Sequence, residues 1–64
     1  MKPRPVFEIF QGLDYKWYFR LEAPNGKIIA QSEGYNDKRG ANRGIASVKK
    51  NAGKARIVTY NEAH

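Results

Sequence analysis

The chain has 64 residues, with 12 Lys and Arg against 6 Asp and Glu, a net charge of +6, 41% apolar residues and no cysteine. That length allows one domain, spanning 1–64, and a domain of this size buries only about 60% of the surface its unfolded form exposes, so its core is thin. Without Cys there is no disulfide, thiolate zinc site or cysteine nucleophile, and the single histidine is the terminal His64, which leaves association as the remaining support for so small a scaffold.

Pro3 and Pro5 precede Val6-Phe7-Glu8-Ile9-Phe10, a run of strand formers. Gly12 and Asp14 supply a turn. From Tyr15 to Ala23, apolar residues alternate with polar ones, so Tyr15, Trp17, Phe19, Leu21 and Ala23 are expected on one face, directed at the core. Ala23-Pro24-Asn25-Gly26 predicts a type I turn, with Gly26 at positive φ as the bulge residue. That geometry pairs Ala23 with Lys27 and Leu21 with Ile29, and a third strand runs from about Lys27 to Ser32. Glu33-Gly34-Tyr35-Asn36 is then expected to leave the sheet.

A helix is predicted over Asp37–Asn51, with Asn36 as N-cap and Ala41, Ile45, Val48 and Ala52 on one stripe. Lys49 and Lys50 fall in its last turn, and Gly53 reads as a left-handed cap. Gly44 lies beside the stripe, where close approach to the sheet accounts for it. Ala55–Tyr60 reads as a fourth strand, which completes a β-β-β-α-β order for an α+β domain with a core over about 6–60. Phe7, Ile9, Trp17, Phe19, Leu21, Ile29, Ile45 and Val48 are the expected core on the helix-covered face.

The charge is unevenly placed. Residues 1–37 hold five basic and five acidic groups, whereas 38–61 hold seven basic groups and no acid. Such asymmetry points to an anionic partner; the alternative is a solvated helix face that keeps a small protein soluble. Two surfaces could meet nucleic acid. One is the outer helix face, where Arg39, Arg43 and Lys50 recur at helical spacing, with Lys54 and Arg56 following. The other is the open sheet face, with Phe10, Lys16, Tyr18 and Arg20 as interleaved aromatics and cations. On that face Glu8 and Glu22 would repel phosphate, and with Arg20 they read more naturally as a surface ion-pair lattice.

Nothing in the chain reads as catalytic. Ser32 and Ser47 have no interior His to activate them, and the glycines form no phosphate-binding loop. No metal, cofactor or small-molecule substrate is expected. No run approaches the roughly 20 apolar residues that span a bilayer, Met1-Lys2-Pro3-Arg4-Pro5 has no apolar stretch behind it, and the cytoplasm is the expected location.

Phe7-Glu8-Ile9-Phe10, Trp17-Tyr18-Phe19-Arg20-Leu21, Asn25-Gly26-Lys27-Ile28-Ile29-Ala30, Glu33-Gly34-Tyr35 and Ile45-Ala46-Ser47-Val48-Lys49-Lys50-Asn51-Ala52 occur in order. Together they resemble the YegP-like family of short prokaryotic domains of unknown function, over roughly residues 6–58. The resemblance implies a β-β-β-α-β unit used in pairs, as tandem repeats or as two subunits, with one shared sheet and exchanged C-terminal strands. For a single unit it implies a homodimer. Phe19 stands where that family often has a second Trp, and Arg39, Gly40, Arg43 and Gly44 make this helix more basic and less helical than the family would suggest. The resemblance supplies no catalytic residues.

Overall fold

Three short runs of strand-forming residues, of which the middle one alternates, pair antiparallel, and the one segment with helical periodicity lies over the first two. A computed structural model describes residues 4–61. The elements are β1 (Val6–Gln11), β2 (Trp17–Glu22), β3 (Ile28–Gln31) and α1 (Lys38–Asn51), followed by a single 3-10 turn (Ala52–Lys54). The strands pair in the order β1-β2-β3.

The β1–β2 register places Phe7 opposite Leu21, Ile9 opposite Phe19 and Gln11 opposite Trp17, while Glu8 faces Arg20 and Phe10 faces Tyr18 on the alternate positions. The first set is the face that α1 covers. The connecting hairpin closes with Gly12 N–H donating to the Lys16 carbonyl at 2.8 Å and Tyr15 N–H to the Gly12 carbonyl at 3.0 Å. Tyr15 takes a left-handed φ of 65° and is 80% exposed. The inward alternation therefore begins at Trp17, and Tyr15 belongs to the turn rather than to the core face.

The β2–β3 turn has the expected form. Gly26 N–H donates to the Ala23 carbonyl and Ala23 N–H to the Lys27 carbonyl, each at 2.8 Å, and Gly26 sits at φ 85°, where a Cβ would be strained. A second irregularity follows between Leu21 and Glu22: Glu22 pairs with Ile28, but Leu21 pairs with Ala30. One extra residue on β3 is taken up there, so the expected Leu21–Ile29 pair does not form. Ile29 is left 61% exposed rather than buried.

The chain does not leave the sheet at Glu33. Phe19 N–H donates to Ser32 Oγ at 2.9 Å, and Tyr35 returns to exchange two backbone hydrogen bonds with Trp17, at 2.8 and 2.7 Å. That bridge stacks the Tyr35 ring on Phe19, with centroids 6.2 Å apart. Phe7 meets the same Phe19 ring edge-on at 5.9 Å.

Asp37, not Asn36, caps α1: its side chain accepts from Gly40 N–H at 2.7 Å, so the helix starts one residue later than expected. Ala41 is fully buried, Ile45 and Val48 are half-buried, and Ala52 is exposed beyond the last turn. Gly53 is not a left-handed cap; the helix tightens into the 3-10 turn instead. A Cβ built on Gly44 would lie 2.8 Å from Phe19 Cε2 and would also meet the Tyr35 hydroxyl, so this glycine lets the helix approach the sheet. α1 packs on β2 and β1 and does not reach β3.

The core is small as a result. Phe19 and Ala41 are the buried apolar residues among those described; Phe7, Ile9, Trp17 and Leu21 are half-buried. The expected strand over Ala55–Tyr60 does not form within the chain: among the described residues no backbone hydrogen bond joins this segment to the sheet. Ile57, Val58 and Tyr60 are 94%, 53% and 79% exposed, and Ile28 on the uncovered β3 is 54% exposed.

Two glycines in the helical region should respond in opposite ways. Gly44→Ala gains helix propensity of up to about 1 kcal/mol but forces a methyl into Phe19 and Tyr35, and overpacking of this kind costs about 1–3 kcal/mol. Gly53 has open space around it, so Gly53→Ala should be neutral or stabilise by up to about 1 kcal/mol. Denaturant unfolding of the two variants measures the contrast, and a Gly44→Ala protein more stable than the parent would contradict the packing described.

Candidate nucleic-acid interface

Along α1, 100° of rotation per residue puts Arg39, Arg43 and Lys50 within a narrow stripe on the side away from Ala41 and Val48. All three side chains are exposed, as are Lys54 and Arg56 just beyond the helix. The stripe from Arg39 to Lys50 is about 16 Å long at 1.5 Å per residue. Among the described residues no salt bridge involves any of these five cations.

The other two cations of this half are used differently. Lys38 Nζ lies 6.0 Å from the Trp17 ring centroid, and Lys49 Nζ lies 5.8 Å from that of Phe7. Both stand over half-buried core aromatics at the flank of the helix, where the aliphatic stem covers apolar surface and the ammonium remains in water. Helical spacing already sets this pair apart from Arg39, Arg43 and Lys50; which aromatic lies beneath each of the two depends on contacts across the fold.

The four sheet-face candidates are also brought together, but they are largely engaged with one another. Phe10 and Tyr18 stack with centroids 5.6 Å apart and planes 16° from parallel. Arg20 lies over the Phe10 ring at 4.8 Å, and its Nε is 2.9 Å from Glu8 Oε1 and 3.3 Å from Glu22 Oε2. This is the ion-pair lattice expected from the sequence, with Glu22 buried rather than at the surface. Lys16 packs its stem against Gly34, where an added Cβ would lie 2.9 Å from Lys16 Cδ.

Asp14 is the member of this face that sequence reasoning missed. It was read only as a turn residue, yet its carboxylate accepts from the Tyr18 hydroxyl at 2.5 Å and from Lys16 N–H at 3.0 Å. The hydrogen bond from Tyr18, followed by that from the Lys16 backbone, holds the Asp14 carboxyl below its ordinary 3.8. The same bond raises the Tyr18 phenol above its ordinary 10.0. An arginine shared by two carboxylates and a tyrosine bound to a third make this face a poor receptor for phosphate. The outer face of α1 is the surface whose charge is available.

Among the described residues there is no group of three or more Asp, Glu, His or Cys side chains able to hold a metal, and no helix is long and apolar enough to cross a membrane. The described surface has no pocket. His64 lies outside the described residues.

Residues 14–58 match the family described as "Domain of unknown function (DUF1508)". A UPF0339 protein of Methanosarcina acetivorans is 50% identical over 52 residues, covering 81% of this chain and 90% of that protein. The UPF0339 protein YegP of Yersinia pestis is 44% identical over 46 residues, which cover 72% of this chain but 41% of YegP. A solution structure of a protein from Haloferax volcanii superposes with a TM-score of 0.84 at 39% identity, over 94% of this chain and all of that one.

The Asp14–Tyr18 bond gives a direct check on the sheet-face geometry. Tyr18→Phe removes the leading cause of the depressed carboxyl, so the Asp14 pKa should rise toward its ordinary value while the backbone hydrogen bond from Lys16 keeps it from arriving fully. Carboxyl-carbon NMR titration reads this, and an Asp14 pKa that stays put in the variant would show that the pairing is not what holds it.

Proposed function

The chain belongs to the DUF1508 family of domains of unknown function, and from that premise we propose that it is a non-catalytic binding module whose working unit, in the cytoplasm, is a homodimer completed by exchange of residues 55–60. The observation that carries this reading is the pair of unmatched apolar surfaces in one chain: exposed Ile57, Val58 and Tyr60 in the tail, and exposed Ile28 and Ile29 on the strand that α1 leaves uncovered. A domain this small has little stability to spare, and bare β-branched residues next to an open strand edge invite pairing with another chain. The tail of one chain supplies a strand and an apolar side to β3 of its partner, and the reverse. That 46 residues of this chain match 41% of YegP supports the same reading, since a chain of that length has room for two such units joined in tandem.

In this reading the protein is a dimer at micromolar concentration, and truncation after Gly53 yields an unfolded or aggregating chain. Native mass spectrometry and circular dichroism read the two outcomes. A folded, stable monomer lacking residues 54–64 would show that the tail completes nothing.

A second reading concerns what the dimer binds, and the exposure of Arg39, Arg43, Lys50, Lys54 and Arg56, without ion-pair partners among the described residues, favours it. The dimer binds nucleic acid weakly and without sequence preference, through phosphates laid along the outer face of α1. With three or four phosphates neutralised per chain, the log–log slope of affinity against salt is about −3 for each chain engaged. Arg39→Glu combined with Arg43→Glu abolishes binding and leaves the fold intact, because neither residue touches the stripe that faces the sheet. Tyr18→Ala has a much smaller effect. Fluorescence anisotropy with labelled DNA and RNA measures all three, and absence of binding near 50 mM salt would leave the strip as a solvated face.

A further inference from the structure

We infer that a bound nucleic-acid backbone tightens the association of the two chains, so that phosphodiester is a ligand of dimerisation and not simply a coat on a dimer already formed. The inference rests on the exchanged tail and on the helix face just proposed as the binding surface. It goes beyond them by coupling the two.

The coupling follows from where the charge lies. Each chain carries +6, and its whole excess falls in residues 38–61, which include the exchanged tail. Lys54 and Arg56 stand at the root of that tail, both exposed. Exchange therefore carries Arg56, with Lys54 at its root, onto the other chain and brings two chains of +6 together, so Coulomb repulsion opposes the step that apolar burial drives. A polyanion laid along both strips cancels that repulsion.

Order in the tail acts in the same direction. Within one chain, residues 55–61 belong to no strand or helix and their side chains are exposed. A phosphate gripped by Arg56 in a lone chain must also fix this backbone, which carries an entropy penalty. In the dimer the penalty has already been met by docking on β3, so the same phosphate binds better there. Linkage makes the effect reciprocal: whatever raises affinity for phosphodiester in the dimer raises the affinity of chain for chain by the same factor.

Salt separates this arrangement from a dimer that merely happens to bind nucleic acid. Without nucleic acid, salt screens the repulsion and the dimer should tighten modestly as ionic strength rises. With nucleic acid, salt competes for the strips and the dimer should loosen as ionic strength rises. The two trends have opposite signs.

The test is sedimentation equilibrium of the full chain between about 50 and 300 mM salt, spanning the range over which phosphate contacts lose most of their affinity. It is run alone, with an oligodeoxythymidylate long enough to lie along both strips, with a duplex of equal length, and with inorganic phosphate. At the low-salt end the oligonucleotide should lower the dimer dissociation constant about tenfold, within the roughly 5–150-fold range of coupled sites, and the gain should vanish at the high-salt end. The duplex should act in the same sense, and inorganic phosphate should do little beyond its ionic strength. Arg39→Glu with Arg43→Glu should make the dimer constant insensitive to the oligonucleotide. A dimer constant unchanged by an oligonucleotide that demonstrably binds would overturn the coupling while leaving the binding reading in place. A chain monomeric under every condition would overturn the exchange reading and the coupling with it, and no binding at low salt would overturn the helix-face reading and the coupling together.

Discussion

The close packing of α1 on the sheet, at Gly44 over Phe19, governs how much of the sheet the helix can cover. Phe19 takes Phe7 against its ring at 5.9 Å and Tyr35 at 6.2 Å, and Gly44 leaves room for the Phe19 and Tyr35 rings. This seats the helix on the middle strand with Ala41 fully buried beneath it. A single helix about 10–12 Å across spans two strands spaced about 4.8 Å apart, and hardly a third. Centred on β2 and leaning to β1, α1 leaves β3 bare. The exposure of Ile28 and Ile29 is thus a consequence of the same contact that builds the core. The tail residues Ile57, Val58 and Tyr60 are exposed as well, and in the proposed dimer they supply apolar surface for that gap.

The cations sort by the same geometry. Those at the flank of α1, Lys38 and Lys49, reach down over Trp17 and Phe7 and belong to the covering of the core. Those on the back, Arg39, Arg43 and Lys50, have nothing beneath them and no carboxylate beside them among the described residues. On the opposite side of the molecule, Arg20 is held between Glu8 and Glu22 and Tyr18 is bound to Asp14. Positive potential is concentrated on the back of the helix because the sheet neutralises its own charge. That asymmetry, more than the net charge, gives the helix face its reading as a surface for phosphate.

Much of this was legible in the sequence, and what was not had specific physical causes. Strict alternation in Trp17–Glu22 announced β2, and Pro24-Asn25-Gly26 announced a turn with positive φ at Gly26, because few other combinations close a hairpin that way. The pairing of Leu21 was misread as Ile29. The extra residue on β3 is accommodated after the turn, and the sequence of two adjacent isoleucines gives no sign of which one is passed over. Tyr35 was assigned to a loop because a single bridging residue has no periodicity to detect. The helix cap moved from Asn36 to Asp37, since either side chain can cap and only the backbone decides. The absence of a fourth strand within the chain is different in kind. Ala55–Tyr60 has the composition of a strand, but a ladder needs a partner, and composition does not say whose. For the candidate interface, the outward direction of Arg39, Arg43 and Lys50 was legible from helical spacing, whereas the role of Lys49 and the bond between Asp14 and Tyr18 depend on contacts across the fold.

The central claim is that the apolar tail of one chain completes the sheet of another. A mixed dimer, with one chain carbon-13 labelled and its partner unlabelled, tests it through isotope-filtered nuclear Overhauser effects. The account predicts intermolecular contacts from the methyls of Ile57 and Val58 to protons of the partner's sheet around Ile28 and Ile29. Tail methyls whose contacts all lie within their own chain, or that show none while the protein remains folded, would contradict it.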